Sequence, residues 1–217
     1  AFNPDDPYEM IIQHGINLWL DDTLCLDLHW SFLAESPFIT GLDEDVFKTA
    51  EPVVVNGLPL FIPNATILLL QTTVHGAKST SVASVRWIAD AVTLLKKTPI
   101  DWQHLLVMAK KAHVCLPLLE TLRYLQTHFQ CHVPANVIST LQQFGESRFE
   151  NHEYWCNTRG LFFLANWQRY CERLGYDSPW QKLRCLPEFL QYRARLKSRW
   201  HIPWHALKWL GRRLVKV

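Results

Sequence analysis

Asp27 and His29 lie near the start of the chain, and their types and spacing could support chemistry. The segment from Thr23 to Trp30 alternates apolar and polar residues, which predicts a β-strand with positions two apart on the same face. We therefore expect the two side chains side by side on one surface. His29 could orient a substrate or the neighbouring carboxylate, or be a hydrogen-bonded structural histidine. An outward-facing Asp is also ordinary in a half-buried sheet.

A second group of candidates lies around the end of the first long predicted helix. Lys78 belongs to a Gly-Ala-Lys-Ser-Thr-Ser stretch, and small residues there would let the lysine approach a phosphate. The G-x-x-x-x-G-K spacing of a P-loop is absent, so Lys78 is either a phosphate contact or a solvated lysine at a helix C-terminus. His75 shares a helix surface with Gln71 and Lys78, and we expect it to line the same cleft.

Two further pairs of charged residues have suggestive spacing. Arg86 and Asp90 are four apart on the next predicted helix and can pair across one turn, which is more often architectural than catalytic. Asp43 and Asp45 have D-x-D spacing, which is found in metal sites. We do not assign a metal to them, because they fall in a predicted short helix and not on a strand edge after a Gly-rich turn.

The elements that position these side chains change in character along the chain. A hairpin is predicted at 11–30 around Asp21-Asp22, and another at 53–62 around Asn56-Gly57. The predicted helices cover Ala65–Ala77, Ser84–Lys96, Trp102–Ala112, Pro117–Gln130, Ala135–Phe144, Thr158–Cys171, Gln181–Leu196 and Trp204–Val217. The fold class is therefore α+β: a short antiparallel β region at 1–62, then a mostly α-helical domain at 63–217.

Composition sets outer bounds on the kind of protein. The 217 residues are 48% hydrophobic and 19% charged, which fits one large globular domain or two small ones. No apolar run reaches about 18 residues, so we expect no transmembrane helix. The six cysteines form no C-x-x-C pair, and several fall in apolar helical patterns. This indicates a reducing, cytoplasmic setting without a disulfide framework.

The C-terminal tail is basic and rich in tryptophan. No acidic residue follows Glu188, and the tail contains Arg193, Arg195, Lys197, Arg199, Lys208, Arg212, Arg213 and Lys216, together with Trp200, Trp204 and Trp209. Such a tail could bind RNA or an anionic membrane surface. A basic amphipathic helix packed on the domain explains the same residues.

Three stretches of the sequence resemble the bacterial uncharacterised nucleotidyltransferase family of the polymerase-β-like superfamily. They are LDLHW at 26–30, HGAK at 75–78 followed by RWIAD at 86–90, and IDW at 100–102. The order of the Leu-His-Trp and His-Gly-Ala-Lys motifs is fairly specific, and together the stretches span most of the chain.

This resemblance implies two-metal transfer of a nucleoside monophosphate from a nucleoside triphosphate to a hydroxyl acceptor. Three carboxylates would hold the divalent metals, with Mg²⁺ expected, and Asp27 matches the third of these. The resemblance also implies a substrate or nucleotide-binding surface, formed by His29, His75, Lys78, Arg86 and Asp90. The short β region would then be part of the nucleotidyltransferase sheet.

One departure from the family pattern limits what this chain is expected to do. The Gly-rich turn and D-x-D strand should precede Asp27 by many residues, and only 26 residues precede it here. A two-metal site with one carboxylate is underligated, so we expect this chain alone to be inactive. It is then either the distal part of an enzyme or a degenerate relative. The alternative is a non-catalytic binding or regulatory module.

Overall fold

The computed structural model describes residues 14–19, 25–33, 39, 41–76, 85–145 and 147–207. Strands β1 to β4 are Gly15–Trp19, Cys25–His29, Glu51–Val55 and Leu58–Ile62. Helices α1 to α9 are Leu42–Lys48, Ala65–Gly76, Arg86–Lys97, Trp102–Lys111, Cys115–Phe129, Ala135–Phe144, Arg148–Thr158, Phe162–Arg173 and Pro179–Arg193. A 3-10 helix at Arg199–His201 leads into helical residues 202–207. The α+β class is confirmed.

Two antiparallel hairpins form the β part of the described chain. In the first, β1 pairs with β2 so that Gly15 lies opposite His29. In the second, β3 pairs with β4 around Asn56 and Gly57, whose φ angles are 51° and 81°. Positive φ at both central residues is what a type I′ turn requires, so the Asn-Gly prediction is confirmed.

The chain divides into two compact units, one of residues 13–165 and the other of 1–12 with 166–217. In the first unit α2 packs against α3, α4 and α5, and α6 packs against α4 and α5. The centre is filled by fully buried leucines such as Leu70, Leu105 and Leu122. Burial of this apolar area is the main term that stabilises the unit.

Two polar side chains fix the starts of the central helices. Asn64 accepts from the backbone N–H of Ile67 at 3.0 Å, while its amide donates to the carbonyl of Thr49 at 3.2 Å. Asp101 accepts from the N–H of His104 at 2.9 Å. These are N-terminal caps, which satisfy backbone donors that have no partner within the helix. The helix starts predicted at Ala65 and Trp102, directly after these caps, are confirmed.

In the second unit α8 and α9 are joined through a small buried cluster. Tyr170 and Phe189 are almost fully buried, with ring centroids 5.5 Å apart. Beside them the sulfur atoms of Cys171 and Cys185 lie 3.4 Å apart as free thiols. Ser178 starts α9 with a reciprocal capping box.

The helix prediction is wrong at one place. The sequence pattern leaves residues 148–157 outside any helix and starts one at Thr158, whereas α7 ends at Thr158 and α8 starts at Phe162. The pattern fails because α7 is polar overall and buries Glu150 and Glu153, so it lacks the apolar repeat that identifies a helix. Residues 208–217 of the last predicted helix lie outside the described residues. Within the described part of the chain, no helix combines the length and apolar character needed to cross a membrane.

Candidate functional site

Hairpin β1–β2 brings Asp27 and His29 together. Both lie on β2, and the Oδ2 atom of Asp27 is 3.0 Å from the Nε2 atom of His29. The adjacency predicted from the two-residue spacing is confirmed. The Asp27 side chain is 61% exposed and that of His29 is 33% exposed, so a substrate in solvent has access to the pair. At this exposure the contact adds little to stability, and its effect is to orient the carboxylate.

The His29 ring is seated by two residues that sequence reasoning missed. Gly15 lies directly across the hairpin, and a Cβ atom there would be 2.5 Å from Cδ2 of His29. The ring of His14 meets that of His29 edge-on at 4.7 Å. The absence of a side chain at Gly15 therefore gives the imidazole its position. The signal in the sequence is a lone glycine within a predicted strand, which often marks close approach of another group.

The segment that follows β2 is tied to the helices by side-chain hydrogen bonds. The backbone N–H of Phe32 donates to Oδ1 of Asp43 at 2.6 Å, and the amide of Gln71 donates to the Phe32 carbonyl at 3.5 Å. Leu33 is then buried in the core. The strand that carries Asp27 and His29 therefore leads into a rigid anchor on α1 and α2.

The two carboxylates with D-x-D spacing have structural partners. Asp43 accepts the hydrogen bond from the backbone N–H of Phe32. Asp45 accepts from Lys111 at 2.5 Å and from Lys48 at 3.2 Å, and these hydrogen bonds hold the pKa of Asp45 below its usual range. The contacts account for both residues without a metal.

The motif around His75 has a second role that the sequence does not reveal. His75 is exposed on the last turn of α2, while Gly76 lies directly against the indole of Trp87 on α3. A Cβ atom at Gly76 would be 2.3 Å from Cδ2 of that ring. Trp87 also packs on the core, with Tyr124 at 6.0 Å between ring centroids. The small size of Gly76 therefore serves helix packing.

No contact among the described residues brings the other predicted site residues together. Lys78 lies outside the described residues. Arg86 and Asp90 are exposed on α3, and in the described ranges no ion pair joins them, so the expected pairing across one turn is wrong. Because both side chains face water, the pair gains little Coulomb energy and loses side-chain entropy.

Glu150 is a buried carboxyl that sequence reasoning did not single out. It lies on α7 and accepts from the backbone N–H of Leu116 in the first turn of α5. Its pKa is raised to about 7, chiefly because burial disfavours the charged form; the Leu116 hydrogen bond lowers the pKa and the charge of Glu153 raises it, and both effects are smaller than that of burial. Glu150 therefore joins two helices as a side-chain cap, a structural role.

The described residues do not by themselves fit a two-metal centre. No group of three or more His, Cys, Asp or Glu side chains that could hold a metal ion occurs among them. Asp27 supplies one carboxylate, and its neighbour His29 is already hydrogen-bonded to it. Two-metal sites need several oxygen ligands, so further carboxylates would have to join Asp27.

Comparison with known proteins identifies the family. The model of the family described as uncharacterised nucleotidyltransferase matches residues 2–130. This chain belongs to that family. The match covers Asp27, His29, His75 and Trp87, and it ends at the C-terminus of α5, so α6 to α9 lie outside it. No curated protein and no solved structure matches the chain.

Proposed function

We propose that this chain is the part of a nucleotidyltransferase that presents Asp27 to the reacting groups. The complete activity would transfer a nucleoside monophosphate from a nucleoside triphosphate to a hydroxyl acceptor. The family match over residues 2–130 carries the proposal, because it encloses the hairpin in which Asp27 and His29 lie 3.0 Å apart. Nucleotidyl transfer depends on carboxylates that are accessible and oriented. The Asp27 carboxylate is 61% exposed and is held by Nε2 of His29, so it meets both conditions.

Each proposed residue has a role that its position supports. His29 holds the carboxylate of Asp27 through Nε2 and is a positioning residue. His75 and Arg86 are exposed at the two ends of the segment that contains Lys78, and we propose that these three groups bind the triphosphate. Asp90 completes this nucleotide-binding surface one turn further along α3.

Mg²⁺ is the ion that the proposed chemistry would use, since carboxylate oxygens suit hard divalent cations. Of the carboxylates that such a site needs, the described residues supply Asp27, so a metal would need ligands beyond them. We propose instead that this chain alone binds nucleotide without completing transfer. The six free thiols support a reducing, cytoplasmic location as part of the same proposal.

The test uses the whole chain and two readouts. Calorimetry with each nucleoside triphosphate and MgCl₂ should show binding, and the same ligands should raise the melting temperature. Asp27→Asn should weaken binding while leaving the ligand-free melting temperature unchanged, because the side chain is exposed. Glu120→Gln, an exposed carboxylate on α5, is the matched control. Release of pyrophosphate by the unmodified chain would refute the inactivity proposed for it.

A non-catalytic binding or regulatory module is the second candidate. Two observations favour it. The Asp27 carboxylate is hydrogen-bonded to His29. Among the described residues, no group of three or more His, Cys, Asp or Glu side chains could hold a metal ion. This candidate predicts that nucleotide and Mg²⁺ leave the melting temperature unchanged, since only a ligand that binds the folded state raises it.

A further inference from the structure

Three large apolar side chains are exposed near the C-terminal end of the described residues. Trp200 is 91% exposed, Trp204 is 62% exposed and Leu207 is 62% exposed. They lie in a 3-10 helix and the helical residues 202–207 that follow it. Spacings of four and then three residues place side chains on one side of a helix. We call these three residues the apolar stripe.

The apolar stripe lies in a strongly basic part of the chain. Residues 166–207 contain eight Lys or Arg residues and three Asp or Glu residues, whereas residues 1–165 contain 10 and 17. Within the described residues, Arg193, Lys197 and Arg199 are exposed close to the stripe in sequence. The last acidic residue, Glu188, lies 3.4 Å from Arg199, and no acidic residue follows it in the sequence to balance the later cations. An anionic surface would complement this segment.

The apolar stripe and the basic residues around it together favour a lipid surface over RNA as the partner. Single-stranded RNA is bound by aromatic side chains that stack on bases beside basic groups, and a leucine adds nothing to such stacking. A helix that lies in a membrane interface has tryptophan and leucine together on one side and Lys or Arg around it. Leu207, exposed three residues after Trp204 and seven after Trp200, therefore fits the interface of a bilayer.

We propose that segment 199–207 is a membrane-docking surface that binds anionic lipid headgroups. The indoles and Leu207 enter the headgroup and acyl boundary, and the neighbouring arginine and lysine side chains contact phosphate and carboxylate groups of the lipids. The proposal is independent of the proposed function, because the segment lies beyond the family match at residues 2–130.

Vesicle co-sedimentation of the whole chain tests this docking. The chain should sediment with vesicles of 30% phosphatidylserine in phosphatidylcholine and stay in solution with pure phosphatidylcholine. The double variant W200A/W204A should lower the partition coefficient by about tenfold or more, because each indole contributes a large apolar area. Trp180→Ala is the matched control: Trp180 is 79% exposed, lies on α9 outside the stripe, and should have no effect.

A charge variant distinguishes docking on anionic lipid from nonspecific hydrophobic adsorption. Lys197→Glu should lower binding to the anionic vesicles by about fivefold per unit of charge changed. Binding should also weaken as salt is added. Unchanged melting temperatures for all variants would show that they remain folded, as expected for exposed positions.

Three outcomes would overturn the proposal. The first is equal binding to anionic and neutral vesicles. The second is full vesicle binding by W200A/W204A. The third is the absence of binding to the anionic vesicles; tryptophan-dependent binding to single-stranded RNA in the same buffer would then assign the surface to nucleic acid.

Discussion

Gly76 lies against the indole of Trp87, so close that a Cβ atom on Gly76 would be 2.3 Å from Cδ2 of the ring. The two residues come from the HGAK and RWIAD parts of one family stretch, at the end of α2 and the start of α3. Their apposition fixes the crossing of these helices. The described helices around the proposed nucleotide surface therefore depend on a glycine that has no chemistry of its own.

Gly76→Ala should destabilise the protein by about 1–3 kcal/mol, because the new methyl group forces the Trp87 ring out of its packed position. Ala is otherwise preferred to Gly within a helix by about 1 kcal/mol. Urea unfolding measures the change. In a Trp87→Ala background the same substitution should be neutral or stabilising, and an undiminished penalty there would contradict the proposed contact.

Glu150 should make stability fall as pH rises from about 4.5 to about 7. In this range the folded carboxyl, with its pKa raised to about 7, keeps its proton, while the unfolded one has lost it. The folded state binds more protons, so unfolding becomes easier with increasing pH, by at most about 3 kcal/mol. Above pH 7 both states are ionised and the effect is constant.

The Glu150→Gln variant isolates this contribution, since its amide oxygen can still accept from the Leu116 N–H without titrating. Its stability relative to the unmodified protein should rise between pH 4.5 and 7, as measured by urea unfolding at several pH values. Glu120→Gln, at an exposed position, should show no such difference. A constant difference between Glu150→Gln and the unmodified protein would refute the raised pKa.

Asp43→Ala should cost about 1–2 kcal/mol, because it leaves the partly buried N–H of Phe32 without its acceptor. The anchor of β2 on α1 would loosen, so amide exchange at Trp30 and Ser31 should accelerate. Asp90→Ala removes an exposed carboxylate on α3 and should change stability by less than about 0.5 kcal/mol. Equal effects of the two substitutions would show that Asp43 is not an anchor.

Cys25 should react with iodoacetamide far faster than the other five cysteines. It is the exposed one, whereas Cys115, Cys131, Cys156, Cys171 and Cys185 are buried. Burial raises the pKa of the Cys115 and Cys171 thiols to about 12, which suppresses the reactive thiolate. Mass spectrometry of the native protein should show one adduct, and six after unfolding. Rapid native labelling of several sites would contradict the packing described here.

Local patterns were enough to predict several features. The Asn56-Gly57 turn, the strand alternation that places Asp27 beside His29, and the helix starts at Ala65 and Trp102 each depend on a few consecutive residues. Backbone φ preferences and side-chain caps act over that range, so the sequence displays them directly. The family resemblance also depended on short motifs in order, and the family match confirmed it.

The sequence by itself thus determined the hairpin that carries Asp27 and His29, the α+β class and the family. Only the tertiary structure decided that Gly76 seats Trp87, that Glu150 caps a helix more than thirty positions away, and that no ion pair joins the described residues Arg86 and Asp90. The physical reason is the distance along the chain over which each kind of interaction acts. Periodicity determines which face of an element is apolar, whereas the packing of distant elements determines which atoms meet and which charges lose water.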